Sequence, residues 1–412
     1  MPVPPESNED QPCALLVHGA SAVVSWDPEA PVDADAVAVH GGRVLAVGRA
    51  SELRRRYTPA GELDAKGGVV APGFVDAHVH PVFASGRAEE FDWRAQGVDY
   101  LEIARRGGGI LSSVRAVRAA PEDALTDTVV GHFRRMMRHG TTACEAKSGY
   151  GLDPESERKS LRVVAAAAAR TGMTVYPTFL GAHTVPEEHR DVPDRYVDLL
   201  CEEMLPQARE DGIARAADVF IEQGAFTLEQ GRRYCERAKE LGFALRVHAD
   251  QFHALGAVEM AVELEAESVD HLEALTDAGL EALAMSGRTW AGLLPAVPHF
   301  LRQKADAPAR KLIAAGVPWF VATDFNPGSC YTPSLPEAAH FARVRLNLGA
   351  EEALRGVTEF AAASLGAADR GHLRPGAAGD LVVLDLPDAF HFGYAFGENP
   401  VRAVVKAGEV VV

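Results

Sequence analysis

Two hydrophobic rhythms share this 412-residue chain. Between residues 36 and 47 the stretch AVAVHGGRVLAV sets two short apolar runs around Gly41 and Gly42, which predicts a β-hairpin. From about residue 69 onward, short β-rich runs alternate with longer segments of helical period, the arrangement of parallel βα units. Eight such runs end at HVH (78–80), TACEAK (142–147), VYPTFLGAH (175–183), DVFIE (218–222), ALRVHAD (244–250), SVDH (268–271), WAGLLP (290–295) and WFVATD (319–324). Segments 121–140 and 227–242 between them are amphipathic, the second closed by Gly242 as helix ends prefer. Eight repeats predict an α/β fold, a (β/α)8 TIM barrel over residues 71–371. The tail returns to strands in DLVVLD (380–385) and VRAVVKAGEVVV (401–412). Both ends are therefore β, and the simplest packing joins residues 1–70 with 372–412 into a small β-sandwich domain beside the barrel.

Composition narrows the partners. With 47% hydrophobic residues there is ample material for a core, and 41 basic against 58 acidic side chains leave a net charge of -17. That balance disfavours nucleic acid and anionic membrane and favours a small molecule. The opening MPVPPESNEDQP is polar, and no apolar run approaches the roughly 20 residues that span a bilayer, so a cytoplasmic protein is expected. The five cysteines are scattered without a CxxC, which points away from a disulfide framework and a thiolate zinc site. Any metal would have to use nitrogen and oxygen donors.

Polar residues at the C-terminal strand ends of a TIM barrel are candidates for chemistry. His78 and His80 close the first run, His183 the third, His248 the fifth and His271 the sixth, while Asp324 closes the eighth. In an extended strand, residues two apart share a face, so His78 and His80 can converge on one ion. A single histidine ending a strand is more often a hydrogen-bonded core or surface residue; six groups around one mouth are not explained that way. Three imidazoles and a carboxylate suit zinc, ferrous iron or manganese and leave room for a water, so hydrolysis is the natural chemistry. Asp324 is then the candidate proton shuttle to a leaving nitrogen, and His271 the group that polarises a carbonyl or stabilises an oxyanion.

The HxH, the single histidine of VHAD, that of VDHL and the aspartate of ATDFNPG together resemble the amidohydrolase superfamily, whose fold is this barrel with a small β-domain built from both termini. More narrowly, HVHPVFASGRAEEF (78–91), YLEIARRGGGILSSVRAVRAA (100–120), KSGYGLD (147–153), TFLGAHTVPEE (178–188) and ATDFNPGS (322–329) are similar to the imidazolonepropionase family of histidine degradation. The resemblance implies hydrolysis of the ring amide of 4-imidazolone-5-propanoate to N-formimidoyl-L-glutamate, with one divalent ion, zinc or iron, and a homodimer. It implies metal ligands at His78, His80, His248 and Asp324, and substrate contacts at Arg87, Tyr150, His183, Gln251, Asn326, Gly328 and Ser329. A propionate carboxylate invites the guanidinium of Arg87, with Tyr150 as a second donor. The competing reading of Arg87 is a surface salt bridge with Glu89 or Glu90. Gly107, Gly108 and Gly109 lack the preceding strand and following lysine of a P-loop and read as a mobile or close-packed loop.

Two residues separate neighbouring activities. In related deaminases of cyclic amidines the third residue after the fifth-strand histidine is a proton-moving glutamate; here it is Gln251, which can only hydrogen-bond. Binuclear relatives carry a carboxylated lysine at the end of the fourth strand, where this chain has Glu222, and Lys147 follows the second strand, so one metal is expected. The third reading is a catalytically silent barrel that binds a metabolite; an intact ligand set argues against it.

Overall fold

The computed structural model describes residues 11–98, 102 and 106–412. The polar N-terminal segment 1–10, position 99, and positions 100–101 and 103–105 of the YLEIARRGGG stretch lie outside the described residues. Eight parallel strands follow one another in sequential order: Phe74–Asp76, Thr141–Lys147, Thr174–Ala182, Ala216–Phe220, Ala244–Ala249, Ser268–His271, Trp290–Leu293 and Trp319–Val321. The two amphipathic segments form the helices Glu122–Arg138 and Leu228–Glu240, the latter opened by a capping box between Thr227 and Gln230. Their apolar faces pack onto the strands, with Leu125, Val129, Phe133 and Met136 buried from the first and Tyr234, Cys235 and Ala238 from the second.

Regular pairing of strands one and eight stops at Asp76 and Val321, short of the residues expected to carry chemistry. The chain nonetheless stays extended. A parallel bridge joins Val79 to Phe325, the Asp324 N–H donates to the His78 carbonyl at 3.1 Å, and the His80 N–H donates to the Phe325 carbonyl at 3.0 Å. These bonds close the barrel at its mouth.

The terminal strands build two sheets over a shared core that includes Val17, Val39, Leu381, Val383 and Val405. The four-stranded sheet comes wholly from residues before 65, whereas the five-stranded one combines Val401–Lys406 and Leu381–Leu384 with Val69–Pro72. Its antiparallel partner Val69–Pro72 runs two residues later into the first barrel strand, so the small sheet fixes where the barrel starts. The predicted hairpin turns through Gly41 and Gly42 at φ of 58° and 73°, the left-handed pair that a tight two-residue turn requires.

Charge sits inside the barrel and apolar packing outside it. Glu145, Lys147, Asp218, Arg246 and Asp270 are all buried on barrel strands. Arg246 donates to the carbonyls of Ala77 and Ser364 at 3.3 and 2.7 Å and to Ser268 Oγ at 3.1 Å. Four non-glycine residues with positive φ, Asp250, His271, Leu272 and Asp324, end or follow strands five, six and eight. Such conformations each cost on the order of 1–3 kcal/mol and persist where surroundings over-determine them.

One buried histidine outside this cluster makes the fold pH-sensitive. His132, on the helix Glu122–Arg138, donates Nδ1–H to the Pro81 carbonyl at 2.9 Å, and burial pushes its pKa down to about 4. The unfolded chain protonates near 6.5, so as pH falls it takes up a proton before the native state does, and stability drops between pH 6.5 and 4. Between pH 7 and 5 the loss from this group is about 2 kcal/mol. Urea unfolding of His132→Gln at both pH values is expected to show a correspondingly smaller drop than the parent.

Candidate active site

The histidines of the barrel mouth are oriented from behind by carboxylates. Asp270 Oδ2 lies 2.7 Å from His78 Nδ1, and Asp218 Oδ1 lies 3.0 Å from His248 Nδ1. Each contact places the ring proton on Nδ1 and leaves Nε2 with a lone pair. Those lone pairs point at one another. His80 Nε2 is 3.2 Å from His78 Nε2 and 3.3 Å from His248 Nε2, while Asp324 Oδ1 is 3.3 Å from His80 Nε2 and 3.6 Å from His78 Nε2. Burial lowers the pKa of His80 to about 4 and that of His78 well below its usual value, so both rings are neutral at pH 7. Burial alone would raise the pKa of Asp324, but His80 beside it holds the group below the usual carboxylate range.

Neutral imidazole lone pairs and a carboxylate oxygen packed this closely repel unless a cation lies among them. Asp324 Oδ1 is buried without a hydrogen-bond partner. Zinc–nitrogen bonds of 2.0–2.1 Å in a tetrahedron separate the donors by about 3.3 Å, which the distances above match. His78, His80 and Asp324 form one group close enough to hold a single cation, and His78, His248 and His271 a second that shares His78; nitrogen and carboxylate oxygen donors of this kind suit a divalent ion such as zinc or iron.

Behind this set stands a second layer. Lys147 Nζ is 2.7 Å from Asp218 Oδ2 and 2.8 Å from Glu145 Oε1, fully enclosed. Burial favours the neutral amine, but Asp218 and Glu145 outweigh it and raise the lysine's pKa; Asp218, for its part, is held well below the usual range despite burial by His248 and Lys147. Lys147 thus keeps Asp218 ionised against His248. A Cβ at Gly292 would collide with Asp270 Oδ1, so this neighbouring-strand glycine makes room for the carboxylate behind His78.

A cavity of about 560 Å³ opens over the donors. Arg87, Tyr150, His183, Gln251, Asn326, Gly328 and Ser329 all line it, together with His80, His248, His271 and Asp324; His78 lies beneath its floor. His183 donates Nδ1–H to the Gly149 carbonyl at 2.9 Å, leaving Nε2 for a ligand, and its ring stacks on His80 at 5.1 Å. The buried Tyr150 ring lies 5.2 Å from that of His183. His271 brings a nitrogen within 4.8 Å of those of His78 and His248, with Glu273 3.8 Å from its Nδ1. Burial disfavours its protonated form, but Glu273, Asp324 and Asp270 prevail and raise its pKa.

Arg87 has Glu90 as its ion-pair partner: its Nε and Nη2 contact Glu90 Oε2 at 3.0 and 2.9 Å, Arg87 itself lines the cavity, and Glu90 also accepts the Gly109 N–H at 3.1 Å and Ser112 Oγ at 3.2 Å. The glycine loop is therefore anchored at the Gly109 N–H, although a Cβ there would meet no neighbour. Asn326 is committed to its own turn: Oδ1 accepts the N–H groups of Gly328 and Ser329, and Nδ2 donates to the Asp324 carbonyl and Ser329 Oγ. A Cβ at Gly328 would collide with the Arg87 guanidinium. Glu222 faces the cavity but is tied to the loop after strand five, accepting the N–H groups of Phe252 and His253 at 2.9 and 3.1 Å.

Asp218, Asp270, Glu145 and Arg94 were not among the residues picked out from sequence. The signal available for the first three was a charged side chain inside an otherwise apolar barrel strand.

Comparison with known proteins agrees with this geometry. The sequence profile of the Amidohydrolase family matches residues 69–411, and that of the bacterial imidazolonepropionase-like composite domain matches residues 36–60. Imidazolonepropionase of Myxococcus xanthus is 43% identical over 97% of this chain and 95% of its own length; that of Rubrobacter xylanophilus is 44% identical over 96% and 97%. Among solved structures, a zinc-bound adenosine deaminase from Xanthomonas campestris superposes with a TM-score of 0.75 over 98% of this chain and 93% of its own, at 21% identity. A triazine hydrolase variant gives 0.71 over 97% and 94% at 19% identity. Likeness at that identity speaks for the fold alone. The chain belongs to the amidohydrolase family and, by its full-length identities, groups with the imidazolonepropionases within it.

Proposed function

We propose that this chain hydrolyses the ring amide of 4-imidazolone-5-propanoate to N-formimidoyl-L-glutamate in histidine degradation. The observation that carries the reading is one cavity with a metal donor set at its floor and the Arg87 and Tyr150 side chains on its wall. The names of the full-length relatives support the substrate. An ion held by His78, His80, His248 and Asp324, zinc or iron, would lower the pKa of water toward neutrality and polarise a carbonyl.

The chain's own residues do the rest. Arg87, with its Nε side occupied by Glu90, turns Nη1 toward Gly328 and meets the propionate; Tyr150 adds a donor. Asp324 takes the proton of the attacking water, whose oxygen bonds to the ring carbonyl carbon, and returns it to the ring nitrogen as the C–N bond breaks. His271, with its raised pKa, donates to the developing oxyanion. His183 accepts through Nε2 from a ring N–H, and Gln251 hydrogen-bonds without moving a proton. Ser329 and Gly328 present the turn that Asn326 braces. An amide at position 251 leaves a deaminase without its proton carrier.

The reading extends to two structural units, a terminal β-sandwich of residues 1–70 and 372–412 and a barrel of 71–371, working as a cytoplasmic homodimer. Net charge -17 supports a small-molecule partner and no nucleic acid. Among the described residues no helix is long and apolar enough to cross a membrane.

Three outcomes test the proposal. Metal-loaded protein is expected to bleach the imidazolone absorbance of added substrate, and release of ammonia from cyclic amidines without that bleaching would overturn the reading. Arg87→Ala is expected to raise KM at least about tenfold with kcat little changed, and Asp324→Ala to abolish turnover. Asp218→Asn keeps the volume but not the charge behind His248, and chelator competition is expected to show metal affinity weakened about 10–100-fold.

A further inference from the structure

The anion end of the cavity holds more positive charge than Arg87 accounts for. Arg87 is bound side-on by Glu90, which Gly109 and Ser112 hold in place, so that pair is nearly neutral. Arg94, about two turns further along the helix Ala88–Ala95, lines the same cavity. Among the described residues it has no carboxylate within ion-pair distance. It is not a loose surface side chain: Nη2 donates to the Gly328 carbonyl at 3.0 Å, its guanidinium carbon lies 5.4 Å over the Phe300 ring, and Phe300 packs on Phe91 at 5.0 Å. Its Nε is buried with no hydrogen-bond partner. Half-burial and then the neighbouring Arg87 charge lower its pKa by more than the Glu90 charge raises it, the mark of a cation only partly compensated by its surroundings. Two guanidiniums flank one peptide, because Gly328 offers its carbonyl to Arg94 and lacks the Cβ that would displace Arg87.

We propose that Arg94, which has no ion pair of its own among the described residues, is a specificity-determining residue whose positive charge selects a carboxylate-bearing substrate, while Arg87, paired with Glu90, supplies hydrogen-bond direction. This rests on the proposed reaction for the identity of the substrate but not for the existence of the anion site. A carboxylate entering here relieves the repulsion between the two arginines, so it is favoured over a neutral isostere by charge and not by shape. The competing role is structural, a pin on the turn 326–329 through the Gly328 carbonyl.

Arg94→Gln keeps an N–H donor for that carbonyl without the charge, and Arg94→Lys keeps the charge. With imidazolonepropionate and its side-chain amide as paired substrates, the parent is expected to prefer the acid at least about tenfold in kcat/KM. Arg94→Gln is expected to lose that preference through KM with kcat within about threefold, and Arg94→Lys to retain most of it. Calorimetric titration with glutarate, a probe bearing a short acid, is expected to show at least about tenfold weaker binding to Arg94→Gln. An unchanged acid preference and unchanged glutarate affinity in Arg94→Gln would overturn the assignment, as would Arg94→Lys failing as badly as the glutamine. A parent that turns over neither substrate yet binds glutarate through Arg94 would overturn the reaction and leave the anion site standing.

Discussion

Asp270 and Asp218 each accept a hydrogen bond from the Nδ1–H of one histidine, and those two contacts dictate what the mouth of the barrel can hold. With Nδ1 committed, His78 and His248 direct bare nitrogens toward His80 within 3.2–3.3 Å, a placement that two free imidazoles in water would never adopt. Lys147 keeps one of these carboxylates charged, and Gly292 keeps room for the other. Buried ionic groups contribute little net stability because desolvation consumes most of the Coulombic gain. The fold is held instead by the apolar helix faces outside the strands, and the charged interior serves to specify a site.

That division explains what could be read from the chain. Helical and β periods follow from burial on one or both faces, so the eight βα units and the terminal strands were legible, as were the residues at strand ends. The hairpin at Gly41 and Gly42 was legible because its turn demands left-handed backbone at two successive positions. Less accessible was that the terminal strands form two sheets with unequal contributions from the two ends, since strand pairing is a matter of long-range register. The carboxylates behind the histidines were missed because a lone aspartate in an apolar run looks the same whether it braces a ligand or caps a turn. The role of Lys147 depends on Asp218, 71 residues away, and no spacing rule connects them.

At the other end of the cavity the same logic runs with opposite sign. Asn326 lines the cavity, and its amide is hydrogen-bonded within the turn it organises. Its contribution is the shape that lets Gly328 sit between two guanidiniums. The floor thus gathers electron pairs and the wall gathers positive charge, and a ligand with an electrophilic ring and an acidic tail matches both ends.

The joint between strands one and eight has a bearing on how the molecule breathes. Only a few backbone hydrogen bonds, those of His78 with Asp324 and His80 with Phe325, fasten the first stave of the cylinder to the last at its mouth, and three of these four residues present electron-pair donors to the floor. A cation held by His78, His80 and Asp324 would consequently act as a rivet through the seam, gripping both staves at the spot where the ladder is thinnest. Withdrawing it would leave the cylinder free to unzip there first, so the amide protons of His80 and Asp324 would exchange with solvent long before those of the middle strands.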